Sequence, residues 1–359
     1  MGEKEGCKAR FTAPDARILI VDDNRVNLKL AKGLFRPYHM QVETAGSGEQ
    51  AVEMVRDGVY NLVFMDYMMP GMNGADTAKM LRNMEGEQYK DMVIVALSAN
   101  EEEGIRELCL EAGMDDFLRK PVKRHCLDKI LWKWLPADMI IPGQESSGEG
   151  LTDKGREDLS VCQMDGIDME IGMSYSDHDR TLYLEVLTDF ADSIEERAGR
   201  MERALQERDL TAYTLEVHSL KSAARYLGAV AVADRAQMLE ADAKRNDWQT
   251  VERETPGFLS DYRKLYESIA PYRINRAYTG KKKGFDRKEV LALLETLWQC
   301  MDEYDIDGGE EAVRALEEYE LGKAWSVRRD RIVKAVDQFD YEVCKEEVLS
   351  WKAALEKEL

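Results

Sequence analysis

Residues 16–23 read ARILIVDD. A continuous apolar run that stops on two carboxylates is the pattern of a strand buried on both faces, with its end at a polar edge. Working outward, NLVFMD (61–66) is a second apolar run that closes on an acid. QVETA (41–45), MVIVALSA (92–99) and DFLRKP (116–121) complete a set of five strand candidates. Amphipathic helical stretches separate them, over 25–36, 48–57, 74–84, 101–112 and 123–134. Five strand-helix repeats with apolar strands predict an α/β fold, a five-stranded doubly wound parallel sheet with helices on both faces. Ligands of such sheets sit at the carboxyl ends of the strands.

Those ends carry the chemistry. Asp22 and Asp23 close the first strand, Asp66 the third, Ser98 lies at the end of the fourth and Lys120 at the end of the fifth. Three carboxylates at one edge repel one another unless a cation intervenes, and hard oxygen donors without His or Cys suit Mg²⁺. An ammonium and a hydroxyl facing the same place make the set fit for phosphoryl transfer. The metal and the lysine neutralise phosphate oxygens, a carboxylate attacks, and the hydroxyl donates a hydrogen bond.

ILIVDDNRVN, VFMDYMMPGMNG, ALSA and DDFLRKP, in this order, resemble the signature blocks of the receiver domain of two-component response regulators, a flavodoxin-like fold. The resemblance covers residues 15–138. It implies that Asp66 is the phosphoacceptor. It also implies that Asp23 and Asp66 bind Mg²⁺ with the backbone carbonyl of Met68, while Asp22 acts largely through water. Ser98 and Lys120 would contact the phosphoryl group, Phe117 would be the switch aromatic, and the Lys120–Pro121 bond would be cis.

From 165 to 272 the pattern is helical throughout. Within it, residues 218–228 read HSLKSAARYLG. Val217, Leu220, Ala223, Ala224 and Leu227 fall on one side of a helix, and His218, Lys221, Ser222 and Arg225 on the other. A histidine on the polar face is placed to react. Neutral imidazole is a good nucleophile near neutral pH, and Lys221, one turn away, can steady a phosphoryl charge. Arg225 shares that face, either as a second such charge or as a solvated side chain. The segment resembles the histidine phosphotransfer (HPt) domain, a four-helix bundle with one reactive histidine on an exposed face. The family pattern is His, Lys three later, a small residue four later and Gly ten later, which His218, Lys221, Ser222 and Gly228 meet. The usual Gly at the fourth position is Ser here. By this resemblance His218 is a second phosphoacceptor, and Ser222 and Ala229 leave room for a receiver to approach. His39, His125 and His178 have no such setting.

The remainder divides into linkers and a third region. Residues 139–164, centred on the Gly/Ser-rich PGQESSGEGLTDKGRED (142–158), and residues 273–284 read as linkers. Residues 285–359 are helical and weakly repetitive: a shift of 35 pairs Leu297 with Ile332, Met301 with Val336, Val313 with Val348 and Leu316 with Trp351. Two helix-turn-helix units explain this, serving docking, dimerisation or packing. EYDIDGG (303–309) hints at a calcium loop but fails the pattern, because the twelfth position from Glu303 is Arg314.

Composition narrows the function. The chain has 359 residues and a formal net charge of −20, which argues for several domains and against nucleic acid as a partner. No apolar run approaches the roughly 20 residues of a membrane span, and the start of the chain lacks a signal-peptide core. The six cysteines form no metal spacing, as suits a reduced cytoplasmic protein. No Gly-rich ATP-binding block is present, so the chain as given lacks a histidine kinase core. The expected function is that of a phosphorelay component shuttling a phosphoryl group between aspartate and histidine through Asp66 and His218, with a histidine kinase or partner receiver domains. The rivals are the C-terminal portion of a hybrid sensor histidine kinase, a receiver-driven transcription factor and a non-catalytic scaffold acting through the last helices. Sequence leaves open whether Asp66 and His218 exchange with each other and in which direction.

Overall fold

The structure, a computed structural model, describes residues 11–86, 89, 91–98, 105–142, 164–273, 283–302, 304–337 and 340–357. Most of both expected linkers lies outside them. The chain forms two compact units, one of Met1–Val42 with Ser47–Arg273 and one of Glu43–Gly46 with Ile274–Leu359.

The sheet lies largely in the first unit. Its strands are β1 (Arg17–Val21), β2 (Gln41–Ala45), β3 (Leu62–Asp66), β4 (Val93–Ser98) and β5 (Asp116–Arg119), in the order β2-β1-β3-β4-β5. β1, β3, β4 and β5 run parallel, with Ile18 opposite Leu62, Leu62 opposite Val93 and Val95 opposite Asp116. This register brings the ends of β1, β3 and β4 to one edge. β1 and β3 are apolar because helices cover both faces: Leu19, Ile20, Val63 and Phe64 are all buried. The covering helices are α1 (Arg25–Phe35), α2 (Gly48–Asp57), α3 (Gly74–Arg82), α4 (Ile105–Glu111) and α5 (Arg124–Trp134). Asn24, Ser47 and Asn73 cap α1, α2 and α3, each accepting from a backbone N–H of the first turn. The Lys120–Pro121 bond is cis.

The same unit continues into helices. A short α6 (Met169–Tyr175) precedes α7 (Arg180–Glu207), α8 (Leu210–Leu227), α9 (Val230–Lys244) and α10 (Trp248–Ile269). The last four form the expected bundle, in which each helix packs against its neighbours and α10 closes back onto α7. Its core includes Val186, Phe190, Tyr213, Leu220, Phe258 and Tyr262. α8 starts on Asp209, whose side chain accepts from the N–H groups of Thr211 and Ala212, and stops at Gly228. Gly228 has φ +82, and a Cβ there would lie 2.0 Å from the carbonyl oxygen of Asp168. Only glycine fits both the left-handed turn and the close approach.

The second unit contains α11 (Arg287–Asp302), α12 (Ile306–Glu317), α13 (Lys323–Asp337) and α14 (Tyr341–Lys357). The residues paired by the 35-residue shift share one core: Leu297 and Ile332, Met301 and Val336, Leu316 and Trp351 are all buried together. Asp305, inside the calcium-like stretch, instead caps α12 by accepting from the Gly308 N–H at 3.1 Å.

Candidate functional site

The ends of four strands carry the predicted residues. Asp22 and Asp23 follow Val21, Asp66 closes β3, Ser98 closes β4 and Lys120 follows β5. Carboxylate oxygens of Asp22, Asp23 and Asp66 lie within 4.8 Å of one another. The Lys120 ammonium bridges the acids, at 2.8 Å from Asp66 Oδ2 and in contact with Asp22 Oδ2. Asp22 Oδ1 is fixed by the backbone N–H of Asn24 and the Asn27 amide, both at 2.9 Å. Ser98 and Lys120 are buried, and Asp66 is 2% exposed. Phe117 is half-buried on β5.

The electrostatics follow from crowding. Burial, then repulsion from Asp22, pushes the Asp23 carboxyl up to about 6. Burial also pushes Asp66 up to about 7, with Lys120 and His218 opposing and Asp22 and Asp23 reinforcing. Burial alone would lower the Lys120 ammonium, but Asp22 and Asp66 hold it well above its usual range. One lysine does not neutralise three acids. A cluster of hard oxygen donors with surplus negative charge is chemically matched to Mg²⁺.

His218 sits on α8, which packs against the edge of this cluster through Asn24 and Ser219. It is 3% exposed, and Lys221 and Ser222 are buried beside it. The expectation of an exposed histidine face is therefore corrected: the polar side of α8 is covered. Two layers cover it. From within the bundle, Glu240 on α9 meets His218 Nδ1 at 2.8 Å and Lys221 Nζ at 2.5 Å, while Lys244 Nζ sits 3.0 Å from the same carboxylate. From the sheet side comes the end of β1 and the start of α1. Asn24 Nδ2 donates to the Ser219 carbonyl at 3.2 Å and to Ser219 Oγ at 3.1 Å. Tyr226 Oη accepts the Val122 N–H at 3.0 Å. Val26 and Leu30 of α1 join the bundle core.

Sequence reading missed Glu240. Burial would raise its carboxyl, but the hydrogen bond and charge of His218 and the charge of Lys221 hold it well below the usual carboxylate range. An ionised Glu240 can only accept, so Nδ1 of His218 carries a proton, and whenever the ring is neutral Nε2 is the nitrogen with the lone pair. A signal existed: Ala233, Ala236, Glu240 and Ala243 recur at helical spacing on a face that is otherwise apolar. An acid in that stripe needs a partner. Arg225 is engaged by Gln237 and, at 3.5 Å, by Asp234, away from His218's own partners.

Comparison with known proteins agrees with this layout. The family model of the response regulator receiver domain matches residues 18–131, and that of the Hpt domain matches residues 185–270. Sensor protein GacS of Pseudomonas syringae pv. syringae is 29% identical over 237 residues, which cover 66% of this chain and 25% of GacS. Signal transduction histidine-protein kinase BarA of Escherichia coli K12 is 26% identical over 223 residues, 62% of this chain and 23% of BarA. The matched region thus spans about a quarter of these relatives. Among solved structures, the receiver domain of sensor histidine kinase PA1611 from Pseudomonas aeruginosa PAO1 is 36% identical, over 33% of this chain and 96% of that one, with a TM-score of 0.31. Among the described residues no helix is long and apolar enough to cross a membrane. This chain joins a response regulator receiver domain to an Hpt domain, and it belongs among the proteins that carry the two in succession.

Proposed function

We propose that the chain is a phosphorelay component in which Asp66 and His218 exchange a phosphoryl group. The observation that supports this reading is the packing of the receiver on the His218 helix: Asn24, next to Asp23, donates to Ser219, next to His218, and both Asp66 and His218 are buried. In the transfer, the bond between phosphorus and an Asp66 carboxylate oxygen breaks, and a bond between phosphorus and His218 Nε2 forms. The carboxylate leaves with the electron pair. Nδ1 keeps its proton, and the positive charge that develops on the ring faces Glu240. The Lys120 ammonium and the Ser98 hydroxyl hold phosphoryl oxygens, and Lys221 steadies the charge on the histidine side. Asp23, Asp66 and the Met68 carbonyl, with Asp22 through water, would hold Mg²⁺, which supplies neutralising charge to the phosphoryl oxygens. Phe117 serves as the aromatic that repacks with Ser98.

The roles divide among a receiver at 15–138, an HPt bundle at 165–272 and a helical segment at 285–359. A histidine kinase feeds the relay and partner receivers draw from it, in the cytoplasm. The test is labelling with a small acyl phosphate and Mg²⁺. Wild type should gain label that partly survives alkali, because phosphohistidine does and an acyl phosphate does not. Asp66→Asn should take no label. His218→Gln should keep the alkali-labile label and lose the stable one. Normal labelling of the Asp66→Asn variant would refute the assignment.

A further inference from the structure

The ion pairs along the seat of the receiver on the bundle share one polarity. Lys29 of α1 lies 2.9 Å from Asp189 of α7, and Arg25, one turn earlier, lies 3.7 Å from the same oxygen. Toward the rim, Arg124 pairs with Asp177 at 2.9 Å and Arg36 with Asp179 at 3.4 Å. In each pair the receiver brings the cation and the bundle brings the acid, in a chain whose net charge is −20. The pairs differ in weight. Arg36 and Asp179 are well exposed, so solvent and salt screen them. The side chain of Asp189 is only 2% exposed and that of Lys29 14%. A desolvated acid must be met by a cation, and a partner without one leaves a buried charge uncompensated. Beside the pair, Val26 and Leu30 supply an apolar strip, and Gly33 lets Leu182 of α7 come close, since a Cβ there would meet Leu182 Cδ2 at 2.3 Å.

We propose that Asp189 is the selectivity determinant of the His218 face. The seat takes receivers whose first helix carries a cation at the position of Lys29, supported one turn earlier at that of Arg25, next to an apolar strip. The chain's own receiver occupies this seat, and an incoming receiver must displace it and present the same pattern. This rests on the phosphorelay reading above.

The experiment uses full chains. In the recipient, Asp66→Asn with Asp189→Lys, the native receiver is repelled and His218 is the acceptor. Two donors labelled on Asp66 are compared, His218→Gln alone and His218→Gln with Lys29→Glu. The donor carrying Lys29→Glu should deliver alkali-stable label at least about tenfold faster than the donor that keeps Lys29. In cis, Asp189→Lys should slow transfer about 30-fold, and Lys29→Glu with Asp189→Lys should recover to within about threefold of wild type. Helix content by circular dichroism establishes that each variant folds. Equal delivery by the two donors, or wild-type cis transfer in Asp189→Lys, overturns the selectivity role and leaves the relay standing. A wild-type chain that labels Asp66 yet never forms alkali-stable label overturns the relay and this proposal together.

Discussion

Glu240 Oε1 lies 2.8 Å from Nδ1 of His218, and its other oxygen holds Lys221. One carboxylate therefore sets the tautomer of the nucleophile and the place of its neighbouring cation. Partners that fix a histidine tautomer at metal sites are worth about 10–100-fold in function, and the same range is expected here. Glu240→Gln, which keeps an acceptor but loses the charge, should slow Asp66-to-His218 transfer by about that factor with folding retained. Nitrogen NMR of His218 should find the proton on Nδ1 in wild type and a mixed population in the variant. Unchanged transfer would remove Glu240 from the mechanism.

The same residue makes a pH prediction. Its folded carboxyl is held below the unfolded value of about 4.3, so its stabilisation is complete above that value and fades as pH falls through the range below it. The stability gap between wild type and Glu240→Gln, read from urea midpoints, should be steady at about pH 5–6 and shrink steadily toward about pH 3. A gap that holds constant over that descent would contradict the depressed carboxyl.

Two glycines should respond with opposite sign. Gly228→Ala forces a side chain into left-handed backbone against the Asp168 carbonyl, and should cost about 2–5 kcal/mol. Gly199 lies inside α7 with nothing within 4 Å of a Cβ, so Gly199→Ala should stabilise by about 0.5–1 kcal/mol. Chemical denaturation of the two variants checks both.

Trp351 is fully buried in the core of the second unit. Trp351→Ala should destabilise that unit by about 3–5 kcal/mol, visible as an early loss of helix signal on heating. Labelling of Asp66 and His218, which lie in the first unit, should persist. Loss of labelling at temperatures where the first unit remains folded would assign the last helices a part in the chemistry.

The sheet and its pocket were legible because β1, β3 and β4 are short apolar runs that end at or just before a polar residue, and the parallel register then brings those ends together. Asp22, Asp23, Asp66, Ser98 and Lys120 needed no tertiary knowledge beyond that. Gly228 was legible as a helix stop. The α8 periodicity also separated its two faces correctly, but what covers the polar face was invisible. Glu240 comes from another helix, and Asn24 from 195 residues away in sequence. Asp189 was hidden for the same reason: in sequence it is one more acid in an acidic chain, and the approach of Lys29 and Arg25 distinguishes it.

The Asn24–Ser219 contact has a kinetic corollary. A short covalent tether holds a binding partner at an effective concentration of order millimolar, an advantage a free receiver lacks. A seat filled from within the chain thus acts as insulation against crosstalk. On the proposed relay, foreign receivers reach the seat only while the tethered one is away, and that fraction of time sets the rate at which signal leaves the molecule.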